Sequence, residues 1–231
     1  MPVAPKVVIF DFDGTVADTM PFLVDLAARL LSSRYGLPDS EARRAYIETT
    51  GLPFCRQIEI IFPGNPLNEA TVREFEGEKL SHLGDFEFFP EALAALAEIR
   101  SRGVKVCLSS GNYESLIKEV LASRGVVVDL VMGFKPGFEK GPQHFQCAAA
   151  AFEAGRDQVV FVGDSIKDGL AAREAGIAFI ARAGLVQEEE IRRRLPGVPV
   201  VNSLTEVLPL LGLTIARVDP GKAPSPRAAT S

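Results

Sequence analysis

Two short acidic motifs each follow an apolar run of the kind found in buried β-strands. The motif DFDGT at residues 11–15 directly follows KVVIF at residues 6–10, and GDSIKD at residues 163–168 directly follows QVVFV at residues 158–162. In the first motif, two carboxylates lie close together at the end of a buried segment. Their charges repel each other unless a cation or a shared proton offsets the repulsion. This cost favours a functional site over a simple turn.

Each acidic motif also has a purely structural interpretation. Asp and Gly are common in turns, and either Asp164 or Ser165 would cap the helix that follows, with Asp168 favoured in its first turn by the helix dipole. If both preceding strands are central in one parallel sheet, however, Asp11, Asp13 and Asp164 meet at one sheet edge. Three carboxylates in one place require a hard divalent cation with oxygen ligands, which predicts a Mg²⁺ site.

Two further motifs contain side chains that suit phosphate binding. The motif SSGN at residues 109–112 follows VKVCL at residues 104–108, and it is either a polar turn or a source of hydroxyl and backbone N–H groups for phosphate oxygens. Lys140 precedes a predicted helix that begins near Pro142, and it is either a solvated surface lysine or a phosphate-binding cation. Lys135 is the alternative for that role, and the pattern leaves open which serine and which lysine are used.

The elements that must position these motifs can be read from the apolar runs. Runs without polar alternation predict strands buried on both faces. They lie at residues 6–10, 104–108, 126–131, 158–162, 177–181 and 198–201. From about residue 90 onward the runs alternate with predicted helices at residues 90–102, 113–124, 142–154, 166–175 and 186–194. The first of these helices carries leucine or isoleucine at three-residue steps. This alternation predicts an α/β fold with a doubly wound parallel sheet, similar to a Rossmann fold.

Residues 17–88 interrupt the alternation with four predicted helices and no strand between them. The helices lie near residues 21–35, 39–49, 54–62 and 68–82. An insertion after the first strand lies at the strand's carboxyl end, where open α/β sheets bind ligands. We therefore predict a helical cap at residues 17–88 over a catalytic core formed by residues 1–16 and 89–214. The Pro-, Ala- and Ser-rich tail at residues 215–231 is predicted to be disordered.

The composition restricts the classes of partner. The chain has 231 residues, of which 47% are apolar and 24% charged, with a formal net charge of −5. It offers no basic patch, so we expect neither nucleic acid nor a membrane as a partner. Cys55, Cys107 and Cys147 form no CxxC pair, which indicates reduced thiols in a cytoplasmic protein. We expect neither a signal peptide nor a membrane-spanning stretch. We expect a monomer or a homodimer.

Four motifs occur along the chain in the order DxDGT, Ser, Lys and GDxxxD, and each lies after a predicted strand or before a predicted helix. This order resembles the four motifs of the haloacid dehalogenase superfamily. The resemblance extends from about residue 6 to about residue 182. The first and last motifs are specific, whereas the serine and lysine motifs draw support from their order and spacing. The helical insertion resembles the small cap of the subgroup that includes phosphoglycolate phosphatases and β-phosphoglucomutase. This resemblance implies the same α/β core, with Mg²⁺ as the cofactor and a small phosphorylated metabolite as the substrate.

Transferred to this sequence, the resemblance implies a role for each motif residue. Asp11 would be the nucleophile and a metal ligand. Asp13 would be the general acid and base and would contribute its backbone carbonyl to the metal. Ser110 would hydrogen-bond the phosphoryl group, Lys140 would neutralise both the phosphoryl group and Asp11, and Asp164 would complete the metal site.

Supporting positions follow from the same resemblance, and they are Gly14, Thr15, Gly111 and Asp168. Ser110 is preferred to Ser109 because it follows a full-length strand. Lys140 is preferred to Lys135 because it precedes a helix at the usual distance from Asp164. The sequence departs from the family here, because Lys140-Gly141-Pro142 replaces the familiar Lys-Pro-x-Pro run.

The resemblance predicts a Mg²⁺-dependent phosphatase that forms an aspartyl-phosphate, with phosphoglycolate as the default substrate. A dehalogenase is disfavoured, because the dehalogenases of the superfamily lack a carboxylate at the position of Asp13 and halide leaves without a proton. A phosphomutase of the β-phosphoglucomutase type shares the same core residues. A non-catalytic binding module would be expected to have lost Asp11 or Asp13. In the cap, Arg56 and Gln57 are the candidate substrate contacts.

Overall fold

Six short apolar segments form one parallel sheet in the computed structural model, which describes residues 4–213. The strands are β1 (Val7–Asp11), β2 (Lys105–Ser109), β3 (Leu130–Met132), β4 (Val159–Gly163), β5 (Ala178–Arg182) and β6 (Val200–Val201). Their order across the sheet is β3-β2-β1-β4-β5-β6, and each neighbouring pair is parallel. The strands β1 and β4 are therefore adjacent and central. Their carboxyl ends, where the two acidic motifs begin, lie side by side.

Helices fill the connections between the strands, which confirms the predicted α/β class. They are α1 (Met20–Tyr35), α2 (Asp39–Thr49), α3 (Phe54–Ile61), α4 (Asn68–Ser81), α5 (Ala92–Ser101), α6 (Glu114–Ser123), α7 (Pro142–Ala151), α8 (Ile166–Ala175), α9 (Glu188–Arg194) and α10 (Val207–Leu210). Within residues 4–213, none of them combines the length and apolar character needed to cross a bilayer.

The central strand is buried on both faces because its side chains alternate between two hydrophobic clusters. Val8 and Phe10 belong to one cluster, which includes residues of α5, α6 and α10. Val7 and Ile9 belong to the other, which includes residues of α7, α8 and α9. Helices thus cover both faces of the sheet, which leaves its edge as the place where polar side chains can gather.

The predicted strand at residues 126–131 is shorter in the structure, where β3 covers only Leu130–Met132. The backbone N–H of Val126 donates to the carbonyl of Leu121, and so it helps to close the end of α6 instead of joining the sheet. β3 is also an edge strand with β2 as its partner. An apolar run that ends a helix and begins an edge strand is not distinguished from a full strand by its hydrophobicity alone.

Helices α1–α4 follow β1 in the chain and pack around a third hydrophobic cluster. We refer to them as the cap helices. The two segments that link them to the sheet pair with each other: the N–H of Asp18 donates to the carbonyl of Glu87 at 2.8 Å, and that of Phe89 donates to Val16 at 3.0 Å. These links support the predicted boundaries of the cap at residues 17 and 88. The division of the chain into a cap and a core remains a prediction. The predicted tail at residues 215–231 lies outside the described residues.

The buried face of α5 differs from the expected three-residue stripe. Leu96 and Ile99 are buried together with Ala92 and Ala95, but Leu93 is 36% exposed. Each three-residue step falls about 60° short of a full helical turn, so Leu93 and Ile99 lie on different sides of the helix. The apolar stripe therefore follows the mixed three- and four-residue spacing of a helix that covers a sheet.

We expect Leu96→Ala to lower the free energy of unfolding by about 2–5 kcal/mol, because it removes a buried side chain and leaves a cavity. Leu93→Ala, on the same helix, should lower it by less than about 1 kcal/mol, since its side chain already contacts water. Urea unfolding followed by circular dichroism measures both values. Equal losses for the two variants would contradict the packing of α5.

Candidate active site

Three buried carboxylates meet at the carboxyl edge of the sheet. Asp11 is the last residue of β1, Asp164 directly follows β4, and Asp168 lies in the first turn of α8. Each contributes a ligand atom to a group whose atoms all lie within 4.8 Å of one another. The structure thus brings together acidic residues that are separated by about 150 positions in the chain.

Lys140 supplies the cation at this cluster. Its Nζ lies 2.9 Å from Oδ1 of Asp11 and 2.7 Å from Oδ1 of Asp168, and all three side chains are buried. Lys135, the alternative considered from the sequence, is instead exposed and forms an ion pair of 2.8 Å with Glu114. The lysine beside the predicted nucleophile is therefore Lys140, immediately before α7 and despite the departure from the familiar Lys-Pro-x-Pro run.

The electrostatics of the cluster favour an additional cation. Burial raises the pKa of Asp11 well above its ordinary value, and the neighbouring carboxylates Asp168 and Asp164 raise it further. Burial, followed by repulsion from Asp168, raises the pKa of Asp164 to about 7. Burial alone would lower the pKa of Lys140, but its ion pairs with Asp11 and Asp168 raise it. Three carboxylates share one ammonium, so the site carries excess negative charge. This all-oxygen donor set fits Mg²⁺.

Asp168 also stabilises the start of α8. The side chain of Ser165 accepts a hydrogen bond from the N–H of Asp168, and the Asp168 carboxylate accepts one from the N–H of Ser165. This reciprocal pair is a capping box. Ser165 and Asp168 therefore cap the helix, as one interpretation of the motif predicted. Asp164 takes no part in the capping box and belongs only to the acidic cluster. The same box fixes the carboxylate that holds Lys140.

Asp13 lies beside the cluster with its own hydrogen-bond donors. The Thr19 hydroxyl donates to its Oδ1 at 2.8 Å, and the side-chain amide of Asn112 donates to its Oδ2 at 2.6 Å. Thr19 occupies the position before α1, yet its hydroxyl does not cap that helix. A residue at the start of the cap helices and a residue of the core thus fix the Asp13 carboxylate from two sides.

The two candidate serines have different environments. The hydroxyl of Ser109 lies 2.9 Å from Nδ1 of His144, whose pKa falls to about 4 because the ring is buried. The hydroxyl of Ser110 instead accepts a hydrogen bond from the backbone N–H of Asn112 within the loop after β2. Ser109 therefore belongs to the interior, whereas Ser110 belongs to the loop at the sheet edge.

The other supporting residues lie close to these loops. The hydroxyl of Thr15 is buried, and it has no hydrogen-bond partner among the residues that the structure describes. Gly111 lines the cavity over the cluster and lies against Pro53 of the cap. Both residues thus belong to the loops that surround the carboxylates.

A cavity of about 60 Å³ lies between the sheet edge and the cap helices. Its core wall includes Asp11, Asp13, Gly111, Asn112, Lys140 and Asp164, and its cap wall includes Met20, Leu23, Tyr46, Thr50, Gly51, Leu52, Pro53, Phe54, Gln57, Phe75 and Lys79. Most of the cap wall is apolar or aromatic. The two predicted halves of the site therefore face each other across a small space.

The two candidate cap contacts lie in different places. Gln57 is buried in the cavity wall, and its amide donates to the carbonyl of Leu52 and accepts a hydrogen bond from Thr49. Arg56 is exposed and forms an ion pair of 2.8 Å with Glu139, the residue before Lys140. Its guanidinium thus links the cap helices to the core beside the cavity.

Sequence reasoning missed three residues at this site: Thr19, Lys79 and Asn112. Asn112 is the last residue of the motif SSGN, two residues after the predicted Ser110. Its place in that motif was the one signal that could have marked it as a site residue. Lys79 gives no local signal, because lysines in helices are usually exposed. Its burial becomes visible only when α4 packs over the sheet edge.

Gly14 follows Asp13 at a point where no side chain fits. Its φ is +75°, and a Cβ atom there would overlap Oδ2 of Asp164. The backbone of the first acidic motif therefore lies directly against the second motif. This close approach explains why glycine occupies the position.

Comparisons with known proteins agree with this arrangement. The family model described as haloacid dehalogenase-like hydrolase matches residues 8–182. Phosphoglycolate phosphatase of Rhodospirillum rubrum is 26% identical over 189 residues, which cover 76% of this chain and 78% of that protein.

Solved structures show the same fold. A haloacid dehalogenase-like family hydrolase from Streptococcus pneumoniae superposes with a TM-score of 0.74 at 19% identity, covering 90% of this chain and 98% of the other. CbbY from Rhodobacter sphaeroides, in complex with xylulose-(1,5)bisphosphate, has a TM-score of 0.69 at 17% identity, covering 87% and 96%.

Gly14→Ala should remove most of the activity, because the added methyl group displaces Asp164. Gly36→Ala is the matched control, since Gly36 has a φ of +73° but nothing within 4 Å of a built Cβ. Both variants should lose about 1–2 kcal/mol of stability from the left-handed backbone. Phosphatase assays and urea unfolding measure the two effects. Equal activity in the two variants would contradict the close approach of the motifs.

Mg²⁺ should raise the unfolding temperature more at pH 8 than at pH 5. The folded-state pKa of Asp164 is about 7, against an ordinary value of 3.8, so without metal its contribution to stability is present at low pH and lost as the pH rises towards 7. Protons thus compete with Mg²⁺ at pH 5. At about 100 times the dissociation constant, we expect a shift of about 5–10 °C at pH 8, measured by thermal denaturation. Asp164→Asn should show a smaller shift with a weaker pH dependence, because Asp11, whose pKa is also raised, still binds protons at low pH. A shift equal to that of the unmodified protein would contradict this assignment.

Proposed function

The chain belongs to the haloacid dehalogenase-like hydrolases and is a phosphoric monoester hydrolase, and we propose that it is a Mg²⁺-dependent phosphatase of a small metabolite, with phosphoglycolate as the first candidate. The observation that carries this proposal is the buried pairing of Asp11 with Lys140 beside Asp164 and Asp168. A carboxylate that is fixed by a lysine in the wall of a cavity has the chemistry of a phosphoryl acceptor.

We assign the nucleophile to Asp11. Its carboxylate attacks phosphorus, the bond from phosphorus to the leaving oxygen breaks, and an aspartyl-phosphate forms. The ammonium of Lys140, 2.9 Å from Asp11, offsets the repulsion between the carboxylate and the anionic phosphate. The ion pair of Lys140 with Asp168 keeps that ammonium charged and in place. The covalent step replaces one difficult hydrolysis with two easier steps.

We assign acid–base catalysis to Asp13. It delivers a proton to the leaving oxygen and then accepts a proton from the water that hydrolyses the aspartyl-phosphate. Hydrogen bonds from Thr19 and Asn112 hold its carboxylate beside the cavity. In the loop after β2, the backbone N–H groups of Ser110 and Asn112 already donate to the carbonyl of Met132 and to the Ser110 hydroxyl. That hydroxyl keeps its own hydrogen as a donor for a phosphate oxygen.

The residues that would hold Mg²⁺ are Asp11, Asp164 and the backbone carbonyl of Asp13. When bound, the ion supplies positive charge that offsets the charge of the phosphoryl group being transferred. Burial and mutual repulsion raise the pKa values of Asp11 and Asp164. The cluster therefore has a free-energy reason to bind a cation at neutral pH.

The size of the cavity favours a short substrate. A cavity volume of about 60 Å³ is small for a ligand pocket. It favours a phosphate ester with a short leaving group over one with a hexose ring. The relative from Rhodospirillum rubrum is named phosphoglycolate phosphatase. Together these observations favour a short-chain phosphate ester over the sugar phosphate that a phosphomutase would use.

We also propose a reducing compartment such as the cytoplasm. Cys55, Cys107 and Cys147 are all free thiols in the structure, which suits a protein that does not depend on disulfides. The oligomeric state, monomer or homodimer, is tested by sedimentation.

Asp11→Asn should lower kcat for p-nitrophenyl phosphate and for phosphoglycolate by a factor of about 10⁴ or more, because the amide cannot act as the nucleophile. The side chain keeps its size, so the unfolding temperature should change little. Phosphate release with and without Mg²⁺ measures the effect. Asp25→Asn, an exposed substitution on α1, is the control and should retain full activity. Turnover in Asp11→Asn comparable to that of the unmodified protein would remove the nucleophile assignment.

A further inference from the structure

Lys79 is a buried cation in the cap wall of the cavity. It lies on α4, its side chain is 6% exposed, and it lines the cavity together with Asp13 and Asn112. Lysine is rarely buried without a partner or a role. The proposed chemistry gives Lys79 no task, because Lys140 already pairs with Asp11 and Asp168.

The contacts of Lys79 leave part of its ammonium available. Its Nζ lies 2.6 Å from Oε2 of Glu76 and donates to Oδ1 of Asn112 at 2.7 Å. An ammonium group has three donors, so two partners leave one donor. Lys79 is part of the cavity wall, whereas Glu76 is not among the lining residues. The positive end of the ion pair therefore borders the cavity.

The surroundings of Lys79 make that ammonium selective. The neighbouring part of the cap wall consists of Tyr46, Phe54 and Phe75, and the rings of Phe54 and Phe75 stack with their centroids 3.8 Å apart. The two phenylalanine rings provide no hydrogen bonds and little screening, so a cation beside them discriminates between charged and neutral groups. Among the described residues of the wall, Lys79 and Lys140 are the two cations.

The position of Lys79 relative to Asp13 limits the length of the substrate. The Asn112 side chain accepts from Lys79 and donates to Asp13, so one amide group separates the ammonium from the acid–base carboxylate. The leaving oxygen must reach Asp13. An anionic group held by Lys79 therefore lies only a few atoms from that oxygen, in agreement with the cavity of about 60 Å³.

We propose that Lys79 binds the carboxylate of the leaving group and selects phosphate monoesters of short hydroxy acids. This inference rests on the proposed phosphatase function. A carboxylate suits the site because it is smaller than a second phosphate and accepts a charge-assisted hydrogen bond from the remaining donor of a lysine. Lys79 is thus a specificity-determining residue, contributed by the cap to a reaction whose chemical groups lie on the core.

The test compares two substrates of similar length, 2-phosphoglycolate and 2-hydroxyethyl phosphate, which differ in the carboxylate. The unmodified protein should have a higher kcat/KM for 2-phosphoglycolate. Lys79→Met should lower kcat/KM for 2-phosphoglycolate by roughly 10- to 100-fold, mainly through KM, because a charged hydrogen bond is lost. Its kcat/KM for 2-hydroxyethyl phosphate should fall by a clearly smaller factor, and through kcat, because the variant also removes the hydrogen bond from Lys79 to Asn112 beside Asp13. Lys79→Arg should retain part of the preference. Lys118→Met, at an exposed ion pair on α6, should leave both substrates unaffected.

The possible outcomes separate this inference from the proposed function. Equal losses on both substrates would mean that Lys79 acts through Asn112 on Asp13, and they would overturn the carboxylate site while leaving the phosphatase intact. Equal kcat/KM values for the two substrates in the unmodified protein would also overturn it, whether or not the variants fold. Failure of the unmodified protein to release phosphate from p-nitrophenyl phosphate with Mg²⁺ would instead remove the proposed function itself.

Discussion

The arrangement of this protein depends on the burial of three carboxylates around one lysine. Removing charges from water is costly unless they are paired and hydrogen-bonded, and here Lys140 contacts two of the three carboxylates, those of Asp11 and Asp168. Asp164 remains in the cluster without that ion pair, and burial together with repulsion from Asp168 raises its pKa to about 7. The fold therefore maintains a local excess of negative charge. Such an excess is a feature expected of a cation site and not of a site selected for stability alone.

The parallel sheet makes this cluster possible because it aligns two distant motifs. In the register between β1 and β4, Phe10 pairs with Val162. The next residues, Asp11 on one strand and Gly163 and Asp164 on the other, therefore reach the sheet edge together. The two hydrophobic clusters on the faces of the sheet fix this register. The apolar residues of the strands thus determine the position of the acidic ones.

The sequence was sufficient to predict the parallel α/β sheet, because short apolar runs are a local pattern. It also predicted that Asp11 and Asp164 lie close together, but the third carboxylate of the cluster is that of Asp168, and Asp13 lies beside the cluster. Short apolar runs form strands, and a motif that directly follows a strand must lie at the sheet edge. The cap contacts were less predictable. Arg56 and Gln57 are adjacent in the sequence, yet Arg56 pairs with Glu139 on the core while Gln57 lines the cavity. Which side of a helix faces the core depends on packing between segments distant in the chain, and a periodic pattern alone does not specify it.

The contacts of Asp13 connect the cap to the chemistry. Thr19, at the start of α1, donates to one carboxylate oxygen, and Asn112, in the core, donates to the other. Asn112 in turn accepts from Lys79 on α4. A movement that takes α4 away from the sheet must break the hydrogen bond between Lys79 and Asn112, and with it the fixed orientation of the Asn112 amide. The acid–base residue is therefore held in place by the cap as well as by the core. A cavity that closes around a substrate also completes the hydrogen bonds that position the catalytic proton.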